Sequence, residues 1–439
     1  MTFERHHNTV HGPNVIDKET YEKYVALEEQ WGVDFEVYEE VLEDGTVVYR
    51  GPHSRSGSVD AFHIASNREG VSVTSSLVES MVDDGSNQKG SSSRMHDIVD
   101  NKDGTTTIYY KAVVSEVQWS NAYGQPNGTL GTMNCRNFSV GDKIYIYTPE
   151  GRTVCDTTVL SAAVKEGTLT YDLREGATHQ VITRDYYSVT VRTADIDWDA
   201  LRDPETGKLY YDLSDNSHHA TNRIIVDNIS YNSCGYVMDN VLVLNGHSRG
   251  FLIKTRDVTV KHCTFRNVCN SGLRIMVEPE WCESSVPMNI LVQQCLFDNT
   301  SFHSQKYADE SMSVILIDGD SSVVSKDSLP IDNITITGCK FTNSKQRFAI
   351  RVESAKNVKI INNVFDDNVF QIDERQTGLA VLLKTCMNVE ISNNTYNYAH
   401  YDPNNIRTVI AGYNFANITG TDVTNPDGSP MVPNNYTTK

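Results

Sequence analysis

The sequence lacks long apolar runs, and basic residues are scarce. No stretch of about 18 apolar residues occurs, so we expect no membrane span. The chain has 38 Lys and Arg against 57 Asp and Glu, which gives a formal net charge of −19. Nucleic-acid binding depends on Lys and Arg that neutralise phosphates, so this charge disfavours a nucleic-acid partner. It suits neutral or cationic partners.

Zinc-type cysteine pairs and a signal peptide are also missing. None of the nine cysteines belongs to a CxxC pair, so no zinc site is expected. The start, MTFERHHNTVHG, has no apolar segment of the kind that directs secretion. We still expect a secreted, periplasmic or cell-surface protein whose leader is trimmed or lies outside this chain.

A strand-like unit recurs in the second half of the chain. It begins at Val258, Ile290, Ile334, Val358 and Val389, and each copy has apolar residues at its first and third positions. The sixth position is Cys, Cys, Cys, Asn, Asn, and the eighth is always aromatic. Period-2 alternation with Asn-rich corners at coil-length spacing predicts a right-handed parallel β-helix. Scarce Asn-Gly turns disfavour a sandwich of hairpins.

Equivalent positions on successive coils of such a solenoid stack about 4.8 Å apart. The sixth position is therefore predicted to form a column of small, buried and reduced cysteines at Cys263, Cys295 and Cys339. The eighth position is predicted to form an aromatic column of the following residues: Phe265, Phe297, Phe341, Phe365 and Tyr396.

The repeat pattern is interrupted towards the N terminus. Residues 93–221 contain short alternating strands punctuated by glycine, which predicts a small β-barrel inserted into the solenoid. Residues 57–92 are interpreted as the first coil and residues 222–439 as the main β-helix. Residues 1–56 are predicted to form a helix capped by Asp17 and then a hairpin. The predicted fold class is all-β: a right-handed parallel β-helix with an inserted small β-barrel domain.

Three acids are spaced by about one coil. Asp60 lies in S-V-D-A-F-H-I, and 23 residues later comes Asp83, followed by Asp84. We therefore expect the three side chains at matching corners of neighbouring coils. Aligning the glycines that precede successive strands predicts that Arg249 stacks beside Asp84. Crowded carboxylates separate one another's pKa values, which leaves one protonated acid and one ionised base, the pair that glycosidases need.

The motifs D-A-F-H-I, V-D-D-G-S-N, S-R-G-F-L-I-K-T-R and W-C-E-S-S resemble glycoside hydrolase family 110. The resemblance runs from about residue 57 to the C terminus. It implies a β-helix enzyme with an inserted barrel that removes terminal α-1,3-linked galactose, as on the blood-group B antigen, with inversion. It implies Asp60, Asp83 and Asp84 as the catalytic acids. We expect no cofactor, and no metal because the acid–base pair suffices and no ligand cluster is evident.

Six further residues are predicted to bind substrate. The resemblance implies sugar contacts from Arg249, Trp281 and Glu283. The other candidates follow the acids in the coil pattern: His63, Asn87 and Arg274.

Two features depart from the family pattern. Little β-helix precedes Asp60, where family members have more coils. Cys282 and Ser285 stand where an aromatic residue and a glycine are expected. The resemblance therefore leaves the substrate preference and the activity open.

Two other functions remain compatible with the sequence. In a polygalacturonase-like hydrolase, S-V-D-A-F-H-I would correspond to N-T-D-G-F-D-I, but Ser58 replaces an asparagine and Met276 replaces the lysine that pairs with a uronate. A pectate lyase is disfavoured because no calcium cluster is evident. The non-enzymatic alternative is a carbohydrate-binding β-helix of the adhesin or tailspike kind.

The predicted function is an inverting, exo-acting glycoside hydrolase for terminal α-1,3-linked galactose. The expected partner is a glycan that carries such a galactose, and the chain is a possible homo-oligomer.

Overall fold

The structure of the protein is a computed structural model. It describes these residues: 2–4, 14–31, 37–51, 60–90, 92–111, 138–148, 151–175, 178–202, 224–277, 286–301, 313–319, 329–344, 348–366, 370–372, 375–377, 379–397, 408–410 and 415–423.

The N-terminal part contains one α-helix, Lys18–Trp31. The Asp17 carboxylate accepts a hydrogen bond from the backbone N–H of Thr20 at 2.8 Å, as a helix N-cap does. The predicted hairpin belongs to a small antiparallel sheet with these strands: Asn14–Ile16, Tyr38–Val41 and Val47–Gly51. The predicted cap, helix and hairpin are confirmed. None of the helices in the described segments has the length and apolar character of a membrane span.

Three parallel sheets, named here sheets I, II and III, form the solenoid, and each complete coil contributes one strand to each sheet in that order. Sheet I contains Thr2–Glu4, Ser72–Thr74, Val237–Asp239, Arg256–Lys261, Met288–Gln293, Ile331–Thr337, Ala355–Ile361, Cys386–Ser392 and Phe415–Thr419. Sheet II contains Leu77–Glu79, Leu242–Leu244, Thr264–Val268, Leu296–Thr300, Lys340–Thr342, Val364–Asp366 and Thr395–Asn397. Sheet III contains Phe62–Ala65, Ser86–Lys89, Phe251–Lys254, Leu273–Val277, Ile315–Gly319, Phe348–Val352, Leu379–Leu383 and Thr408–Ile410. The short strands Phe370–Ile372 and Arg375–Thr377 form a separate hairpin.

The predicted columns fill the interior of the solenoid. Adjacent rings of the aromatic column stack nearly parallel, with centroids 4.9, 5.1, 5.0 and 5.3 Å apart. This spacing is the coil repeat, so the rings stack because the strands are in register. Cys263, Cys295 and Cys339 are buried and free, as predicted. The Cys295 thiol points at the carbonyl oxygens of Val260 and Gln293.

A seven-stranded, mostly antiparallel sheet with its own apolar core interrupts the solenoid. Its strands, in spatial order, are Thr153–Thr158, Lys143–Tyr147, Ile225–Asn228, Ser92–Asp100, Thr105–Lys111, Thr178–Arg192 and Ser161–Glu175. The strands of this sheet lie between Ser92 and Asn228, and the predicted bounds of the inserted domain, 93–221, stay a prediction. Among the strands that the structure describes, no hydrogen-bonded pair joins the first to the last, so the predicted closure into a barrel is not seen in them.

One buried acid ties the insertion to the solenoid. Asp142, at the start of an insert strand, accepts hydrogen bonds from Arg68 Nη2 at 2.7 Å and from Asn228 Nδ2 at 3.2 Å. Arg68 lies on the first coil, so this acid has a structural role at the junction.

Three glycines stack immediately before strands of sheet III, where successive coils approach closely. A Cβ atom on Gly85 would lie 2.6 Å from the Gly250 carbonyl oxygen. One on Gly250 would lie 2.2 Å from the Gly272 carbonyl oxygen and 2.6 Å from Phe265 Cδ1. At Gly85 and Gly250 only glycine fits without displacing backbone, and a Cβ atom on Gly272 would lie 2.8 Å from Phe297 Cδ1.

Replacing Gly250 by alanine is expected to lower the free energy of unfolding by about 1–3 kcal/mol, because the added methyl group overlaps backbone and an inner aromatic ring. Urea unfolding of the purified variant measures the change. Gly246→Ala is the matched control, since its Cβ would meet nothing closer than 3.8 Å. Equal stability of both variants would contradict the close approach.

Candidate active site

The three acids and one arginine share a corner that leads into sheet III. Phe62 pairs with Ser86, and Ser86 pairs with Phe251, in parallel register. Asp60, Asp84 and Arg249 each lie two residues before one of these paired positions. They therefore form one column across three coils, as the sequence predicted.

The three carboxylates are close together. Oxygen atoms of Asp60, Asp83 and Asp84 lie within 4.8 Å of one another. The backbone N–H of Asp84 also donates to Asp60 Oδ1 at 3.2 Å. The coil spacing explains why the carboxylates lie close together, because residues in register on adjacent coils stand about 4.8 Å apart. The oxygens are nearer than the about 6.5–9.5 Å that separates the carboxyl groups of inverting glycosidases.

Asp84 is the most tightly held acid of the three. Its side chain is only 1% exposed, and Oδ1 accepts a hydrogen bond from Arg249 Nε at 2.7 Å. The same oxygen lies 3.2 Å from Ser248 Oγ and 3.3 Å from the backbone nitrogen of Arg249. The predicted contact between Asp84 and Arg249 is confirmed. Ser248 was not predicted, although its position next to Arg249 at the corner could have indicated it.

The environments of two acids shift their pKa values in opposite directions. Burial raises the pKa of Asp84 to about 6, although Arg249 acts to lower it, and the charges of Asp60 and Asp83 raise it further. Burial also acts to raise the pKa of Asp60, but the hydrogen bond and charge of His63, with Asn87 and the Asp84 N–H, outweigh it and lower the pKa. Mildly acidic solution therefore leaves a protonated Asp84 beside an ionised Asp60.

His63 lies beside Asp60, as predicted, and Asn87 does so too; the predicted role of both in binding substrate stays a prediction. His63 Nδ1 is 3.2 Å from Asp60 Oδ2, and its side chain is 45% exposed. Asn87 pairs with His63 in sheet III, and its amide hydrogen-bonds the Asp60 carboxylate. Both side chains thus hold the orientation of Asp60.

Arg274 lies one strand further on in sheet III than the strand that follows Arg249, and its predicted contact with substrate stays a prediction. It lies on the same face of sheet III as Asn87, two coils further along, with Leu252 between them in register. Its guanidinium makes a two-pronged contact with Asp318, at 3.1 and 2.8 Å. Asp318 lies on the next coil after a long connection, so no local sequence pattern predicts its contact with Arg274.

The remaining predicted sugar contacts, Trp281 and Glu283, lie outside the described residues. The two departures from the family pattern, Cys282 and Ser285, lie in the same segment and are likewise outside them.

The acid cluster also has the composition of a cation site. Three carboxylates at these distances could hold a metal ion. The expectation that no cluster of carboxylate ligands exists was therefore wrong. The cluster forms because the coil register brings acids from two sequence positions to one corner.

The architecture and register define the chain as a parallel β-helix solenoid with an acidic corner. The family model described as "Right handed beta helix region" matches residues 249–429, which agrees with the predicted hand and class. No curated protein matches the sequence significantly.

Among the solved structures that match is the tailspike gp61 of Pseudomonas phage phi297, with 10% sequence identity and a TM-score of 0.27. The alignment covers 81% of this chain and 56% of the tailspike chain, so this chain spans little more than half of that protein. At this TM-score the similarity carries no argument about function.

The raised pKa of Asp84 makes a prediction about stability. The folded-state pKa of about 6 lies above the ordinary value of about 3.9, so Asp84 contributes stability that is fully present below pH 4 and is lost as the pH rises through 6. The contribution at stake is about 3 kcal/mol. Urea unfolding from pH 4 to 7 should show wild type losing this increment relative to Asp84→Asn.

Asp103→Asn is a control for that experiment. Hydrogen bonds from the side chain and the backbone of Thr105 lower the pKa of Asp103. The contribution of Asp103 to stability is therefore present above about pH 4 and is lost only below that value, so the difference between wild type and this variant should stay constant from about pH 4 to 7. The same pH trend relative to both variants would show that the environment of Asp84 does not favour its protonated form.

Proposed function

We propose that the protein is an exo-acting glycoside hydrolase that releases terminal α-1,3-linked galactose from glycans. The observation that carries the proposal is the group of three carboxylates within 4.8 Å of one another, one of them buried against Arg249. A rigid spacer has no use for such a group, because like charges at this distance repel. Bond cleavage needs it, because an acid and a base must act on the same bond.

The two halves of the acid–base pair follow from the environments. Oδ1 of Asp84 already accepts three hydrogen bonds, so the proton belongs on Oδ2. Asp83 is half-buried and makes no side-chain hydrogen bond within the described part of the chain. We assign the acid role to Asp84 with Asp83 beside it: Asp84 holds the proton, and the more exposed carboxyl of Asp83 passes it to the glycosidic oxygen. Asp60 is the base.

The bond changes of the reaction are simple. The acid pair gives its proton to the glycosidic oxygen as the bond from that oxygen to the anomeric carbon breaks. A water molecule adds to the anomeric carbon and gives a proton to Asp60. Arg249 stays paired with Asp84 throughout. Its positive charge disfavours the protonation of a second carboxyl in the cluster.

The charges at the site favour a neutral sugar. Recognition of a uronate requires a cation that is available to its carboxylate. Arg249 contacts Asp84 and Arg274 contacts Asp318, so both guanidinium groups already face an acid. This supports a neutral galactoside over polygalacturonate, while the α-1,3 linkage is taken from the resemblance to glycoside hydrolase family 110.

The stereochemistry is the point on which the resemblance and the geometry differ. The resemblance implies inversion, which needs room for a water between acid and base. The observed oxygens are closer to the about 5–5.5 Å of retaining enzymes, in which the second carboxylate attacks directly. We expect inversion with β-galactose as the first product, seen by NMR. First release of α-galactose would make Asp60 a nucleophile.

Single Asp→Asn changes at Asp60, Asp83 and Asp84 are expected to lower kcat by about 10²–10⁴, because each removes one acid–base function while keeping the side-chain shape. The assay is release of galactose from an α-1,3-galactosyl disaccharide, with polygalacturonate as the competing substrate. Asp239→Asn, on sheet I, should keep full activity. Folded wild-type protein that releases no sugar from either substrate would contradict the proposal. Binding of sugar without its release would favour a non-catalytic carbohydrate-binding module.

The rate should also depend on pH with a defined sign. We expect kcat/KM to fall as the pH rises through about 6, because Asp84 loses its proton there. The acidic limb should lie below about pH 4, because the pKa of Asp60 is lowered from its ordinary value. A rate that increases between pH 6 and 8 would contradict the assignment of a protonated acid.

A further inference from the structure

The acidic corner has a charge that matches a divalent cation. When all three acids are ionised, Asp60, Asp83 and Asp84 together with Arg249 have a formal charge of −2. His63, the other group that faces Asp60, adds charge only when it is protonated. Repulsion among three carboxylates this close is relieved either by a proton or by a metal ion.

A second observation points to a ligand at this corner. Asn87 is 8% exposed, and its amide contacts the Asp60 carboxylate. Its Oδ1 atom is buried and has no hydrogen-bond partner among the residues that the structure describes. A buried acceptor of this kind needs a donor or a cation, because leaving it unmatched is unfavourable. An asparagine carbonyl oxygen beside carboxylates is a typical calcium ligand.

The kind of ligands at the corner selects among divalent cations. Each acid offers one carboxylate oxygen, and these oxygens lie within 4.8 Å of one another, so all three can reach one ion. Ca²⁺ takes several carboxylate and amide carbonyl oxygens in a flexible shell, whereas Mg²⁺ keeps most of its water and binds through one or two carboxylates. Three carboxylates with an asparagine oxygen therefore favour Ca²⁺.

We propose that Asp60, Asp83 and Asp84, with Asn87 Oδ1, form a calcium-selective site, and that Ca²⁺ there inhibits hydrolysis. The inhibition rests on the proposed function, because the cation occupies the oxygens that hold and accept the proton. The binding itself does not depend on hydrolysis.

Isothermal titration calorimetry at pH 7.5, on full-length protein dialysed first against EDTA and then against buffer without chelator, tests the site with CaCl₂ and MgCl₂ as probes. We expect one Ca²⁺ per chain with a Kd on the order of 10⁻⁴–10⁻³ M, and binding of Mg²⁺ at least about tenfold weaker. Asp83→Asn and Asn87→Leu should each weaken Ca²⁺ binding at least about tenfold. Asp239→Asn should leave it unchanged.

Asp83→Asn keeps the test decisive if Asn87→Leu fails to fold, since Asp83 makes no side-chain hydrogen bond within the described residues. Absence of saturable Ca²⁺ binding, or equal binding by Asp83→Asn and wild type, would overturn the site. Cleavage that saturating CaCl₂ does not slow overturns the inhibition. Ca²⁺ binding together with no cleavage of any glycan in EDTA keeps the site and overturns the proposed function. Cleavage in EDTA together with no Ca²⁺ binding does the reverse.

Discussion

The parallel stacking of coils in strict register is the constraint on which the rest of the molecule depends. It sets about 4.8 Å between equivalent residues, whatever those residues are. In the interior this distance suits aromatic rings, whose centroids lie 4.9–5.3 Å apart, and small thiols. At the corner it forces carboxylates from two coils together. The same repeat thus makes favourable contacts inside and unfavourable charge crowding at one site outside.

The crowded corner is tolerated because neighbouring groups offset part of the repulsion. Arg249 and Ser248 bond one oxygen of Asp84, while His63 and Asn87 contact Asp60. What remains is a buried carboxyl that holds its proton up to about pH 6. A fold shaped for stability alone would place apolar residues here, so these charges support the proposed site. The glycine column beside it lets the coils come close enough for these bonds.

Prediction from sequence succeeded where the unit is local and repeated. The five aromatic residues and the contact between Asp84 and Arg249 followed from counting residues along coils, because register converts sequence spacing into spatial position. It did not reveal the partner of Arg274, which is Asp318 at the far end of a long connection. It also missed that the acids form a cluster able to hold a metal ion, and the predicted barrel appears as an open sheet in its described strands.

The sequence by itself determined the architecture and the corner at which the acids meet. Alternating apolar residues and Asn-rich turns specify strands and bends, and parallel strands then stack in one way. Only the tertiary structure decided the chemistry of that corner. Three features depend on which atoms face one another across coils of unequal length. They are the burial of Asp84, the partner of Arg274, and the Asn87 oxygen that has no hydrogen-bond partner among the described residues. Those facings set the local dielectric and hence the pKa values, and no spacing along the chain encodes them.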